Sequence, residues 1–146
     1  MSEFDLVIRG GTVATSADVF RADVAISGER IAAIGESLPA GRREIDARGK
    51  LVLPGGVDSH CHIEQLSSMG KMCADDFYTA TVSAAFGGTT SVISFCAQHR
   101  GDSIPVVHAD YAQRAREKAV IDYGFHLIIA NPDEAKVGRA SCRERV

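Results

Sequence analysis

The sequence has no apolar run approaching the roughly 18 residues that a bilayer-spanning helix needs, so no transmembrane helix is expected. Met1 to Asp5 carry two acids and no basic stretch, which is not the pattern of a secretory leader. The four cysteines show no paired spacing, so neither a disulfide scaffold nor a cysteine metal cluster is expected; a reducing, cytoplasmic setting fits best. Charge of neither sign dominates. A formal net charge of −3 gives no basic surface for nucleic acid or for an anionic membrane. Repeats and low-complexity stretches are absent as well.

What is present is the balance of a globular chain, with 45% hydrophobic and 24% charged residues over 146 positions. The last nine residues, Gly138-Arg-Ala-Ser-Cys-Arg-Glu-Arg-Val146, read as the conceptual translation of a common sequencing adapter rather than as a natural basic terminus. Residues 137–146 are therefore set aside from the fold.

Two kinds of pattern precede this tail. Residues 1–54 read as short strands: Phe4 to Arg9, a turn at Gly10-Gly11, then Thr12 to Ala14. Asp23 to Ser27 and Arg30 to Ile34 flank Gly28-Glu29 as a hairpin, and Glu44 to Asp46 and Lys50 to Leu53 form a second pair around Arg48-Gly49. After Pro54-Gly55-Gly56 the pattern alternates. A short buried strand is expected over Val57 to Cys61. A helix then opens on Ala74-Asp75-Asp76 and stops at Gly87-Gly88, and a strand covers Thr89 to Phe95. A second helix, capped by Asp102-Ser103 with Pro105 in its first turn, runs to about Lys118, and a strand spans Val120 to Ile129. Strand, helix, strand, helix, strand with long crossovers predicts parallel pairing and an α/β fold over residues 55–136.

The chemistry concentrates at Asp58-Ser-His60-Cys-His62. Alternation on a strand places His60 and His62 on one face and Cys61 on the other. Two neutral imidazoles at that spacing can hold one divalent metal from one side. Asp58, two residues earlier on the same face, could accept a ring N–H and fix its tautomer.

Asp58-x-His60-x-His62 after Leu53-Pro54-Gly55-Gly56 and an all-β lead-in resembles the amidohydrolase superfamily. Ile63-Glu64, Ser68-Met69-Gly70, Ala74-Asp75-Asp76-Phe77 and Ala85-Phe86-Gly87-Gly88-Thr89-Thr90 resemble its dihydropyrimidinase and D-hydantoinase branch. The resemblance covers residues 4–135. It implies a small β-sandwich, of which residues 1–54 are the N-terminal strands, beside a (β/α)8 TIM barrel begun by residues 55–136. Such a barrel takes about 250 residues, so the chain is expected to be a truncated N-terminal portion, inactive and poorly soluble by itself.

The resemblance also implies two zinc ions per active site. His60 and His62 would be ligands, and a carboxylated lysine, two further histidines and an aspartate would follow on later strands. The implied reaction is hydrolysis of the cyclic amide of a dihydropyrimidine or a 5-substituted hydantoin to an N-carbamoyl amino acid. An allantoinase-like ureide hydrolase and a non-catalytic relative of the dihydropyrimidinases are the alternatives. A homotetramer is expected for the full-length protein. Related enzymes place an arginine that grips a substrate carboxylate where this chain has Glu64, which points to a neutral ring. Gln65, Leu66, Met69 and Met72 then border the substrate's exocyclic group. His99 is expected in a loop, His108 at a helix surface or packing edge, and His126, within its strand, as a structurally bonded histidine or a ligand. Cys73 and Cys96 are expected as buried thiols.

Overall fold

A computed structural model describes residues 4–67 and 69–132; the adapter-like tail and Ser68 lie outside the described residues. The chain divides into two units at the Pro54–Gly55 junction.

The first unit is a single sheet. Strands β1 (Phe4–Ala14), β2 (Val19–Ser27), β3 (Arg30–Gly35), β4 (Gly41–Asp46) and β5 (Leu51–Val52) form it. Its order is β3-β2-β1-β4, with β5 also on β1. The Gly28-Glu29 hairpin joins β2 and β3 as an antiparallel pair. Two expectations fail here. Gly10-Gly11 is not a turn: β1 runs straight through, and its register against β2 shifts between Ile8 and Gly11. Gly10, at φ +62°, absorbs the extra residue as a bulge, a conformation that costs glycine little. Nor do Glu44 to Asp46 and Lys50 to Leu53 pair with each other. Both β4 and β5 lie parallel to β1, which offers a longer partner than either short segment offers the other.

The bulge is held by Asp23. Its Oδ1 accepts from the Gly10 amide at 2.8 Å, and its Oδ2 accepts from Arg9 at 2.7 Å and from the Leu38 amide at 3.2 Å. Arg9 also pairs with Glu44. The Arg9 guanidinium first, then the Gly10 amide, hold the Asp23 carboxyl below the usual carboxylate range.

The second unit is a three-stranded parallel sheet in the order β6 (Gly56–Cys61), β7 (Thr89–Ala97), β8 (Asp122–Ile128). Helix α1 (Phe77–Phe86) connects β6 to β7, and α2 (Ile104–Lys118) connects β7 to β8. Asp76 caps α1: its carboxylate accepts from the Thr79 amide at 2.9 Å, while the Thr79 hydroxyl accepts from the Asp76 amide at 3.2 Å. Ser103 takes the expected N-cap position of α2, with Pro105 in the first turn. The Ser103 side chain makes no cap bond within the described residues. Asp102 instead closes its own turn, accepting from the His99 amide at 3.1 Å. Gly55 admits no side chain, because a Cβ there would stand 2.0 Å from the Thr90 hydroxyl.

The core of this unit lies on one face of the sheet. Phe77, Val92, Cys96, Tyr111, Ala115 and Ile63 form it, with Cys61, Phe125 and Leu127 packed against them. Buried Ser94 accepts from the Ile63 amide at 3.2 Å. Gln98 ties the strand ends together, accepting from the Ala130 and Asn131 amides at 3.0 and 3.2 Å. The expectation that Val57 to Cys61 is buried is corrected: Val57 is 63% exposed. Strand β6 pairs only with β7 among the described strands and is exposed along most of its length.

Phe77, with no exposed surface, gives a direct test of this core. Phe77→Ala is expected to lower unfolding free energy by about 3–5 kcal/mol, and Phe77→Leu by much less, in urea titrations. Asp23 gives a pH test. Its carboxyl is held low in the folded state, so its contribution is present above the unfolded pKa of about 3.9 and is lost as pH falls through the folded value. Asp23→Asn should reduce the urea midpoint at neutral pH and leave a shallower loss of stability on acidification than in the parent chain.

Candidate metal centre

The site is built where β6 ends. Ladder pairing sets Asp58 opposite Val92 and Cys61 opposite Ser94, three steps on β6 against two on β7. The strand is therefore bulged around Ser59 and His60. Beyond the bulge Cys61 faces the helix-side core, and His60 and His62 face the other way. Burial first, then the Asp58 charge, push the Cys61 thiol above its ordinary value.

The two imidazoles stand edge to face with ring centroids 5.5 Å apart. Both rest on Phe95 of β7. His62 stacks on it at 4.9 Å and 15°, and His60 meets it at 4.6 Å and 62°. His62 Nδ1 lies 2.8 Å from the side-chain oxygen of Gln65. That oxygen can only accept, so Nδ1 donates in this contact, which turns Nε2 outward as the nitrogen free to meet a ligand in the neutral ring.

Asp58 does not do what its spacing suggested. Its Oδ1 accepts from the His60 backbone amide at 3.0 Å, because the bulge breaks the alternation that would have aligned it with the rings. Gln65, expected only at a substrate contact, is the residue that orients a ring.

Glu64 also departs from expectation. Its φ of +49° turns the chain sharply after His62. Its carboxylate is sent toward the helices, where Oε1 meets Lys118 Nζ at 2.8 Å and Oε2 accepts from the Phe77 amide at 3.2 Å. Arg114 donates to the Glu64 carbonyl at 2.7 Å. A carboxylate neutralised in this way does not repel a substrate, so Glu64 carries no argument about ring charge.

The loop after the histidines folds as a small hairpin, with Leu66 bridged to Met72 and the Cys73 amide donating to the Gln65 carbonyl at 3.0 Å. Met69, near its tip, is 79% exposed. Leu66 and Met72 line a cleft of about 470 Å³ with His99, Val106, Tyr111 and Arg114. Neither His60 nor His62 lines that cleft.

The remaining candidates fall in three places. His99 sits in the turn closed by Asp102. His108 packs edge-on against Phe125 at 5.6 Å. His126 on β8 places its Nε2 3.1 Å from the Ser59 carbonyl oxygen. Burial pushes the Cys96 thiol up to about 12, and Cys73 is half-buried. Among the described residues no group of three or more His, Cys, Asp or Glu side chains is placed to hold a metal ion. Phe95 is the site residue that sequence reasoning missed. Its alignment opposite His126 in the β7–β8 ladder was the available signal.

A parallel strand–helix sheet with imidazoles at the carboxyl ends of its strands defines an α/β protein of the kind that carries its chemistry at that edge. Comparison with known proteins narrows the class. No protein-family model matches the chain. It is 42% identical over 133 residues to the D-hydantoinase of Ralstonia pickettii, covering 91% of this chain and 29% of that protein. It is 37% identical over 130 residues to the dihydropyrimidinase of Rattus norvegicus, covering 85% of this chain and 25% of that protein. The solved D-hydantoinase of Bacillus sp. AR9 superposes with a TM-score of 0.87 at 48% identity, covering 95% of this chain and 31% of that one. Over most of its length the chain is similar to D-hydantoinases and dihydropyrimidinases, and it spans about three-tenths of the length of the relatives it matches.

The Glu64 cluster yields a test. Glu64→Gln removes one charged partner from Lys118 and Arg114, which keep Asp76 and Asp110, and should lower the urea midpoint of the second unit modestly. Metal uptake by the full-length protein should be unchanged, as read by equilibrium dialysis against zinc. A zinc affinity that fell with the midpoint unchanged would return Glu64 to the site.

Proposed function

We propose that the whole protein is a zinc-dependent cyclic amidohydrolase. It hydrolyses the cyclic amide bond of a 5-substituted hydantoin or a dihydropyrimidine to give an N-carbamoyl amino acid. The observation that carries this reading is the pair His60 and His62, presented together on one sheet face in a chain 42% identical to a D-hydantoinase.

The residues present fit a metal as two of its donors. Both rings are exposed, and the Gln65 contact occupies His62 Nδ1 and leaves Nε2 as the nitrogen a divalent ion would take. Two imidazoles fall short of a complete set, which in a catalytic zinc site takes at least three protein ligands. The remaining donors, a carboxylated lysine among them, are proposed to lie on further strands of a (β/α)8 barrel that β6, β7 and β8 begin. When bound, zinc supplies Lewis acidity toward a ring carbonyl and activates water near neutral pH.

This chain's own residues do the placing. Gln65 holds Nδ1 of His62, Phe95 sets both ring planes, and Asp58 holds the His60 amide. The hairpin with Leu66, Met69 and Met72 offers apolar, adaptable surface toward an exocyclic group. A neutral cyclic ureide is favoured by the names of the relatives, not by Glu64. The allantoinase-like and non-catalytic alternatives find no support among them.

Two outcomes are expected. The full-length protein should open 5-substituted hydantoins or dihydrouracil and leave allantoin largely unchanged, followed by chromatography of the carbamoyl product. Preferential turnover of allantoin would replace this reading. Exchanging Leu66 or Met69 should alter the ranking of 5-substituents by several-fold in kcat/KM, and an unchanged ranking removes the hairpin from the substrate site.

A further inference from the structure

We infer that Phe95 and His126 are positioning residues that hold the His60–His62 pair, His126 acting as a clamp across the sheet on the Ser59 carbonyl. The inference rests on the reading of His60 and His62 as metal-holding and adds residues outside that pair.

Three observations meet at one place. The β6 ladder slips between Asp58 and Cys61, so the backbone that carries His60 lacks regular pairing there. His126 Nε2 lies 3.1 Å from the carbonyl oxygen of Ser59, the residue immediately before His60. A carbonyl only accepts, so Nε2–H donates. Phe95 lies beneath all three rings: its centroid is 4.6 Å from His60, 4.9 Å from His62 and 5.0 Å from His126.

The reach of the clamp is informative. Strand β7 lies between β6 and β8, and in a flat sheet those outer strands would be roughly 9.5 Å apart. An imidazole, one hydrogen bond and the carbonyl itself only just reach across that span. The contact passes over β7 at the bulge, on the face that carries the histidines. Phe95 fills the space under the bridge and leaves each ring few orientations. A bulge ordinarily serves to re-aim a side chain; here the aim of His60 is fixed from a strand two places away. Removing the donor frees the Ser59 carbonyl, and removing the aromatic ring frees the planes of His60 and His62.

The test uses the full-length protein, zinc affinity by competition with a chromophoric chelator, and thermal midpoints as a fold control. His126→Leu, which keeps bulk and removes the donor, should weaken zinc binding by about 10- to 100-fold, the usual effect of losing a group that orients a ligand. His126→Gln restores a donor at similar reach and should recover most of that loss. Phe95→Leu should weaken binding, Phe95→Tyr should not, and proton spectra of metal-free Phe95→Leu should lose the ring-current shifts of the His60 and His62 C–H signals. If His126→Leu and Phe95→Leu bind zinc like the parent while His60→Ala does not, the clamp is overturned and the metal reading stands. If His60→Ala also binds like the parent, both fall. Should His126→Leu fail to fold, His126→Gln decides: weak binding at an unchanged thermal midpoint contradicts the inference.

Discussion

The segregation of the two faces of the β6-β7-β8 sheet governs the rest of the second unit. Helices α1 and α2 cover one face, packing Phe77, Tyr111 and Ala115 on Val92 and Cys96 of β7, and alternation along β7 and β8 then leaves Phe95 and His126 on the other. Burial of these apolar groups is the main stabilising term, at about 25 cal/mol for each Å² removed from water. The same burial fixes which side chains stand together at the strand ends. The histidine cluster is a consequence of where the core lies.

On that platform the polar contacts divide the work between two sides. Glu64 closes the helix side with Lys118, Arg114 and the start of α1. Gln65, the next residue, points back to His62. The positive φ of Glu64 makes this division possible, because it reverses the direction of the chain within one residue of the site. A non-glycine residue there is strained by roughly 1–2 kcal/mol, which the ion pairs and the Arg114 contact to its carbonyl offset.

The order of elements, the parallel crossovers and the location of the Asp58–His62 motif at a strand end were legible in the sequence, because they follow from hydrophobic periodicity and from caps such as Asp76. Features that break periodicity were not. A period-two reading put Asp58 on the face of the histidines, and the Ser59–His60 bulge removed it. Gly10-Gly11 looked like a turn because glycine pairs mark turns and bulges alike. The parallel placement of β4 and β5 on β1 was hidden because their partner is distant in sequence, whereas a hairpin needs only neighbours. Glu64 was misread for a similar reason: the cations that claim it lie on α2, about fifty residues on. Phe95 counted only as an apolar strand residue until its register with His126 placed it under the rings.

His60 and His62 are proposed to hold a metal in the whole protein. X-ray absorption at the zinc edge of the full-length protein, with and without His60→Ala and His62→Ala, tests it most directly. Imidazole scattering around zinc is expected in the parent, with a drop in both that signal and the bound zinc in each variant. An unchanged spectrum and zinc content in both variants would show that these histidines are not ligands, and the claim would be contradicted.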